Sequence, residues 1–442
     1  MSVEYPFVIG GVEGSPVRLP SMREVRQTFR GLPAADAAAL LAHQWASVDD
    51  RVGALPNGAA IAVAVGSRGI ADIVPVVRAV VDHLKAAGCR PFIVPAMGSH
   101  GGATAEGQVE VLRTLGVTQE AMRAPVRATM EVVSPGDADG HPLYLDSLAW
   151  EADGIVLVNR VKPHTDFVGP VESGLMKMLV IGLGKQVGAD YYHRLGVVRG
   201  LEVTIPAAAR ALLERTRVLF GVAIVENEEH QTALVRVVPA EAIEATEIEL
   251  LKVARAHLPG LPVDDIDLLI VDEMGKEISG AGLDPNVIGR TSAAWSPKRE
   301  RPRVSRIFVA ELTAATEGNA AGLGVVDAVS ASFLDRIDIA ATAVNAFTSC
   351  CPEDARIPAV FRTARDAVLG LLTTVRPSVP EDLRIVYIRN TMALDPIWVS
   401  VGCLDQIDES KAAVSPAARE LKFDRAGRLV SPFLISSMRP AG

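Results

Sequence analysis

Aromatic side chains make up only 5% of this 442-residue chain, and cysteines number four. No stretch of about eighteen uninterrupted apolar residues occurs, so an ordinary membrane-spanning helix is not expected. Cys89, Cys350, Cys351 and Cys403 show no C-x-x-C spacing, and the adjacent pair is poorly placed to bridge itself. They read as buried thiols of a reducing compartment. The N-terminal Met-Ser-Val-Glu-Tyr-Pro-Phe lacks the positive-then-apolar order of a signal peptide, so a cytoplasmic location is expected. Basic charge is also in short supply. The net charge is −9 with a pI near 5.5, and no basic run is interleaved with aromatics. That balance argues against nucleic acid as the main partner, because phosphate contacts need a basic face. Several signatures are missing too. No H-E-x-x-H, cysteine cluster or facial triad offers a zinc site built from protein ligands alone. No Gly-x-Gly-x-x-Gly or P-loop points to dinucleotide or nucleoside triphosphate chemistry.

What is present is a long folded chain. About half the residues are apolar, and 442 residues exceed what a single core sustains, so two or more cores are expected. The first half alternates short apolar runs with amphipathic patterns. Ala60–Val65 ends at Gly66 and is followed by Ile73, Val76, Val77, Val80 and Leu84 on one helical stripe, stopped by Gly88. Pro91–Pro95 and Gly154–Val158 read as further strands, and Thr104 as the cap of a helix reaching Leu115. Strands at Arg217–Val225, Ile266–Val271, Arg306–Val309 and Arg384–Ile388, with a helix at Glu241–His257, continue the pattern. This is the α/β class, with mainly parallel sheets in two α/β domains. Leu258-Pro-Gly-Leu-Pro-Val263 marks the break, giving an N-terminal domain over 1–260 and a C-terminal domain over 261–442.

Ligands of open parallel sheets collect at the carboxyl ends of strands. The loops expected there carry ionisable groups: Gly66-Ser-Arg68-Gly69, Gly98-Ser-His100-Gly101-Gly102, Asn159-Arg-Val-Lys-Pro-His164 and Asp272-Glu-Met-Gly-Lys276. His100 is either an acid/base imidazole beside an anion-cradling turn or a solvated histidine in a tight turn. His164 follows a proline that fixes its backbone, and alone it would be an ordinary loop histidine. Lys177 stands in Gly-Leu-Met-Lys-Met-Leu-Val-Ile-Gly, where packing would favour Leu or Ala. An amine in such apolar surroundings is paired, neutralised, covalently used or snorkelling to water. His193, in Tyr-Tyr-His-Arg, falls on a helical stretch. In the second half, Lys276 or Arg290 is available to a carboxylate, and Ala346-Phe-Thr-Ser-Cys-Cys-Pro is a weaker candidate. His43, His83 and His257 read as surface or packing residues.

Taken together, Arg68, His100, His164, Lys177 and His193 resemble the lactate racemase family, the enzymes dependent on the nickel-pincer nucleotide. The resemblance covers most of the chain and is strongest between residues 60 and 200. It implies two α/β domains with an interdomain active-site cleft, and a cofactor that is a pyridinium-3,5-bisthiocarboxylic acid mononucleotide nickel complex, tethered as a thioamide. By resemblance Lys177 is the tether and His193 the nickel ligand. His100 and His164 are the catalytic histidines, Arg68 grips the substrate carboxylate, and Lys276 contacts substrate. The activity implied is racemisation or epimerisation of a 2-hydroxy acid by reversible hydride transfer to the cofactor, with the two histidines as acid and base. The chain departs from the lactate enzymes at Val65 and Gly69, where those have an acid and a proline. Its interval from His164 to Lys177 is about three residues longer. Both departures imply a 2-hydroxy acid other than lactate. Cofactor-biosynthesis enzymes would be maturation partners. Two alternatives stand beside this reading: a non-racemising redox or isomerising enzyme with the same cofactor, and a non-catalytic protein that holds a mononucleotide or nickel.

Overall fold

The computed structural model describes residues 18–29, 31–67, 69–375 and 379–433. The chain divides into two compact units. One comprises residues 31–258, the other residues 259–442 together with the N-terminal segment up to residue 30. Both are α/β, and most strand pairings are parallel.

The unit of residues 31–258 is built on a five-stranded sheet in the order Thr232–Pro239, Val218–Glu226, Gly154–Arg160, Ala60–Val65, Arg90–Pro95. The first two form an antiparallel hairpin and the remaining pairings are parallel. Val63, Val65, Ile93, Val156 and Val158 are buried on one face against Val76, Val77, Val80 and Leu84 of the helix Ile73–Ala86. Each such side chain contributes roughly 1.5–3 kcal/mol by leaving water. Gly88, at φ +82°, turns the chain from that helix into the edge strand. Thr104 caps the helix Ala105–Thr114, its Oγ1 accepting from Gly107 N at 3.0 Å.

The other unit carries an eight-stranded sheet. Ala359–Phe361, Ala328–Ser330, Arg303–Leu312, Asp265–Met274 and Ile385–Ile388 run parallel. Ile397–Ser400, Met22–Gln27 and Ala412–Arg419 extend it antiparallel. Met22–Gln27 corrects the expected boundaries, which placed residues 1–260 in one domain. The strand is short and alternates weakly, and its pairing partners lie nearly four hundred residues away, so no local pattern marks where it goes. No helix among the described residues is long and apolar enough to cross a membrane.

Candidate functional site

Val65 pairs with both Pro95 and Val158, so three parallel strands end at one level and release their loops together. Gly66 opens the first loop. A Cβ there would stand 3.0 Å from Asn159 Oδ1 and 3.4 Å from the Met178 methyl, so glycine lets both neighbours approach. Asn159 in turn donates from Nδ2 to Gly174 O at 2.9 Å, tying the strand end to the segment that carries Lys177. The second loop turns through Gly98, Gly101 and Gly102, all at positive φ. Gly98 N donates to Gly182 O at 3.1 Å. His100 is exposed at the tip of this loop, and its Nδ1 lies 2.5 Å from Ser67 Oγ of the first loop.

The third loop is closed on itself. Lys162 and Ser173 exchange backbone hydrogen bonds at 2.8 and 3.2 Å, enclosing His164. Within the loop, the buried Glu172 carboxylate accepts from His164 N at 2.6 Å and Gly169 N at 2.9 Å, and it pairs with the Arg255 guanidinium. A buried carboxylate is tolerable because it is met by a cation and two backbone donors. The His164 ring packs 4.5 Å from Phe167, its Nδ1 accepts from Asp166 N at 3.0 Å, and its Nε2 hydrogen-bonds to Lys177 Nζ.

Lys177 ends the helical turn Leu175–Lys177, which continues as a π-turn over Met178–Gly182. Such turns recur at functional sites. The buried Glu247 carboxylate accepts from Met176 N at 3.0 Å, where the turn's free amides and dipole favour an acceptor. Burial pushes this carboxyl up to about 7, although the Met176 and Leu175 amides pull the other way. A Cβ at Gly174 would fall 2.4 Å from the Glu247 carboxyl, so a larger residue there must displace that side chain. Glu247 and Arg255 both belong to the helix Ile243–Ala256, which thus braces the Lys177 turn and the His164 loop together. Lys177 itself is half-buried, not enclosed as its apolar flanks suggest.

His193 lies on the helix Lys185–Arg199. Burial, with the positive charge of Lys177 second, pushes its imidazole down to about 4, so the ring is neutral at ordinary pH. Its Nδ1 is buried without a hydrogen-bond partner. Behind the histidine, Tyr144, Tyr191 and Tyr192 pack edge to face at 5.5–6.2 Å. The same helix begins with a lysine that the sequence reading passed over. Lys185 is fully buried, pairs with Asp146 at 2.9 Å, and donates to Pro95 O at 2.6 Å and Gln108 Oε1 at 3.1 Å. Burial lowers its ammonium pKa, and Asp146 opposes that shift. Gln108 passes the link on to Gly98 O at 2.8 Å, so the His193 helix and the His100 loop share one buried network.

His100, His164, Lys177 and His193 therefore all belong to one unit, on loops and helices packed around one end of its sheet. Glu172, Glu247, Arg255 and Lys185 went unnoticed in the sequence. Glu247 stands between Glu244 and Glu249, and Arg255 between Lys252 and His257, so no local pattern in the sequence sets them apart from a solvated helix face. Arg68 lies outside the described residues. Lys276 belongs to the other unit, where its ammonium donates to Gly280 O and to Asn345 Oδ1, the latter at 2.7 Å. Arg290, considered for a carboxylate, is engaged by Asp327 at 2.5 and 3.2 Å. Cys351 is buried, and burial pushes its thiol up to about 12. Among the described residues, no three His, Cys, Asp or Glu side chains stand together as metal ligands.

No protein-family model matches the chain, and no curated protein matches it. Among solved structures, the lactate racemase apoprotein from Thermoanaerobacterium thermosaccharolyticum is similar over 70% of this chain and 70% of its own. The TM-score is 0.42 and the identity 12%.

Proposed function

We propose that the protein is a racemase or epimerase of a 2-hydroxy acid other than lactate, using a nickel-pincer nucleotide tethered at Lys177. The observation that carries the reading is the grouping of a lysine amine, a neutral orphaned imidazole and two further histidines at one end of a parallel sheet. These residue types fit the group. His193 offers a buried ring nitrogen without a partner. With no three-ligand cluster among the described residues, a metal held there needs donors from a bound molecule. Lys177 supplies an amine for attachment. The bound group would supply the acceptor for the substrate's α-hydrogen.

The chain's own residues then have separate tasks. His164 and His100 move the hydroxyl proton, each serving one face of the substrate. Ser67, at 2.5 Å from Nδ1, orients the His100 ring and sets which nitrogen faces the substrate. Gripping the substrate carboxylate belongs, in this reading, to Arg68 and Lys276. Cofactor-biosynthesis enzymes would load the site.

The test is intact mass and nickel content of protein produced with those enzymes. An adduct of a few hundred daltons on the Lys177 peptide, with nickel, supports the reading, and His193→Ala should keep the adduct and lose nickel. An unmodified Lys177 peptide under those conditions refutes it.

A further inference from the structure

Arg160 closes the strand Gly154–Arg160, four residues before His164. Asn159 turns to Gly174 and the Lys177 segment, so alternation along the strand sends Arg160 the other way, toward Glu226. The Arg160 side chain is only 15% exposed. Its Nη1 donates to the Glu226 carboxylate, which ends the neighbouring strand Val218–Glu226 and is itself 7% exposed. The second Glu226 oxygen accepts from Ala71 N, in the loop after Ala60–Val65, at 2.8 Å. Glu226 thus ties two strand ends to that first loop and fixes the guanidinium where they meet.

One edge of that guanidinium is left over. Nε and Nη2 donate to nothing among the described residues, and neither is buried. These two N–H groups run parallel, the fork that receives both oxygens of one carboxylate. Arginines that serve structure in this protein use that fork themselves. Arg113, Arg210, Arg303 and Arg384 each grip their own acid with Nε and Nη2 together. Arg160 instead spends a single Nη1 on Glu226 and presents its fork outward.

We propose that the Nε–Nη2 fork of Arg160 binds a carboxylate of a small acid, with Glu226 as the residue that aims it. A phosphate dianion would be opposed by the Glu226 charge, whereas a planar monoanion matches the fork. The place suits a ligand, since small molecules collect at the carboxyl ends of parallel strands. The loop that Glu226 holds also brings Ser67 to His100, and His164 follows on from Arg160 itself. That the acid is a substrate rests on the racemase reading, while carboxylate binding does not. Two carboxylates fit this role. One is the group beside the hydroxyl, shared with Arg68, and the other is a second acid group on a 2-hydroxy diacid.

Calorimetric titration of the unloaded protein at neutral pH with glycolate, tartronate and glycolamide tests the proposal. Glycolate carries one carboxylate beside its hydroxyl, tartronate carries two, and glycolamide carries no charge. At least one of the acids should bind saturably, and glycolamide should not. Arg160→Lys keeps a cation for Glu226 but has no fork. It should weaken acid binding by about tenfold or more, the worth of a charge-assisted pair, with a urea midpoint near that of the parent. Loss for both acids assigns Arg160 the carboxylate beside the hydroxyl. Loss confined to tartronate assigns it the second one, and either result supports the proposal. Unchanged affinities in the folded variant overturn it. Binding of neither acid, or of glycolamide as well as glycolate, overturns it without any variant. A Lys177 that stays bare after maturation would instead remove the racemase reading and leave this carboxylate site standing.

Discussion

Lys185 and Asp146 form an ion pair at 2.9 Å in which neither side chain is exposed. The pair does more than hold a helix start. Through Pro95 O and Gln108 it fixes the end of the edge strand and the carbonyl of Gly98, two residues before His100. Removing one member strands the other in the core, at a cost of about 3–5 kcal/mol. Lys185→Met should therefore lower the urea midpoint sharply. The double variant Lys185→Met with Asp146→Leu should recover much of the loss, since an apolar pair leaves no buried charge. A double variant no more stable than the single one would show that the pair's cost is not electrostatic.

Glu247 predicts a pH dependence of stability. Burial raises its carboxyl in the fold to about 7 from an ordinary 4.5. The native state thus binds the proton more tightly than the unfolded state does. Stability contributed by the protonated form is complete at the acid end and is lost as pH rises from about 4.5 through about 7, by roughly 3 kcal/mol. Glu247→Gln mimics the protonated carboxyl, and its amide oxygen still accepts from Met176 N. That variant should be more stable than the parent at pH 8, nearly equal at pH 4, and flat between. Urea titrations at the two pH values decide it, and an undiminished pH slope in the variant would place the titration elsewhere.

Arg255 and Glu172 set the His164 loop. Arg255→Met removes the cation from a buried carboxylate that also anchors His164 N and Gly169 N. Amide exchange across 163–172 should accelerate in this variant by at least about tenfold, corresponding to a loss above 1.4 kcal/mol. Exchange in the sheet strand Gly154–Val158 should stay near that of the parent. Uniform acceleration over both segments would mean global destabilisation instead of a loop held by one pair.

The alternating strands and helices were legible because each carries its period locally. The run Ala60–Val65, the stripe from Ile73 to Leu84 and the cap at Thr104 appear in the structure at those places. Lys177 drew attention for another reason, as an ionisable group out of keeping with its apolar neighbours, and His164 as a loop histidine whose backbone Pro163 fixes. Their mutual hydrogen bond was not legible, because it depends on how a loop of twelve residues closes between Lys162 and Ser173. Lys185 was hidden by its spacing. Its partners Asp146, Gln108 and Pro95 come from three separate segments, and a lysine beside glycines reads as a helix-start surface residue until the fold surrounds it. The strand Met22–Gln27 was hidden by distance, for its register is set by Ile397–Ser400 and Ala412–Arg419.

Gly101 and Gly102 separate backbone strain from packing beside His100. Both sit in the left-handed region, at φ +65° and +63°. A Cβ at Gly102 meets nothing within 4 Å, whereas one at Gly101 falls 2.5 Å from the Gly107 backbone carbon. Gly102→Ala should cost only the left-handed penalty of about 1–2 kcal/mol. Gly101→Ala adds a clash with main chain that cannot swing aside, so the loop must move off the helix Ala105–Thr114. Its thermal midpoint should fall further than that of Gly102→Ala, and the His100 ring should leave Ser67. On the racemase reading, Gly101→Ala then loses turnover while Gly102→Ala keeps most of it. Equal losses of stability in the two variants would mean that the close approach of Gly101 to Gly107 does not hold this loop.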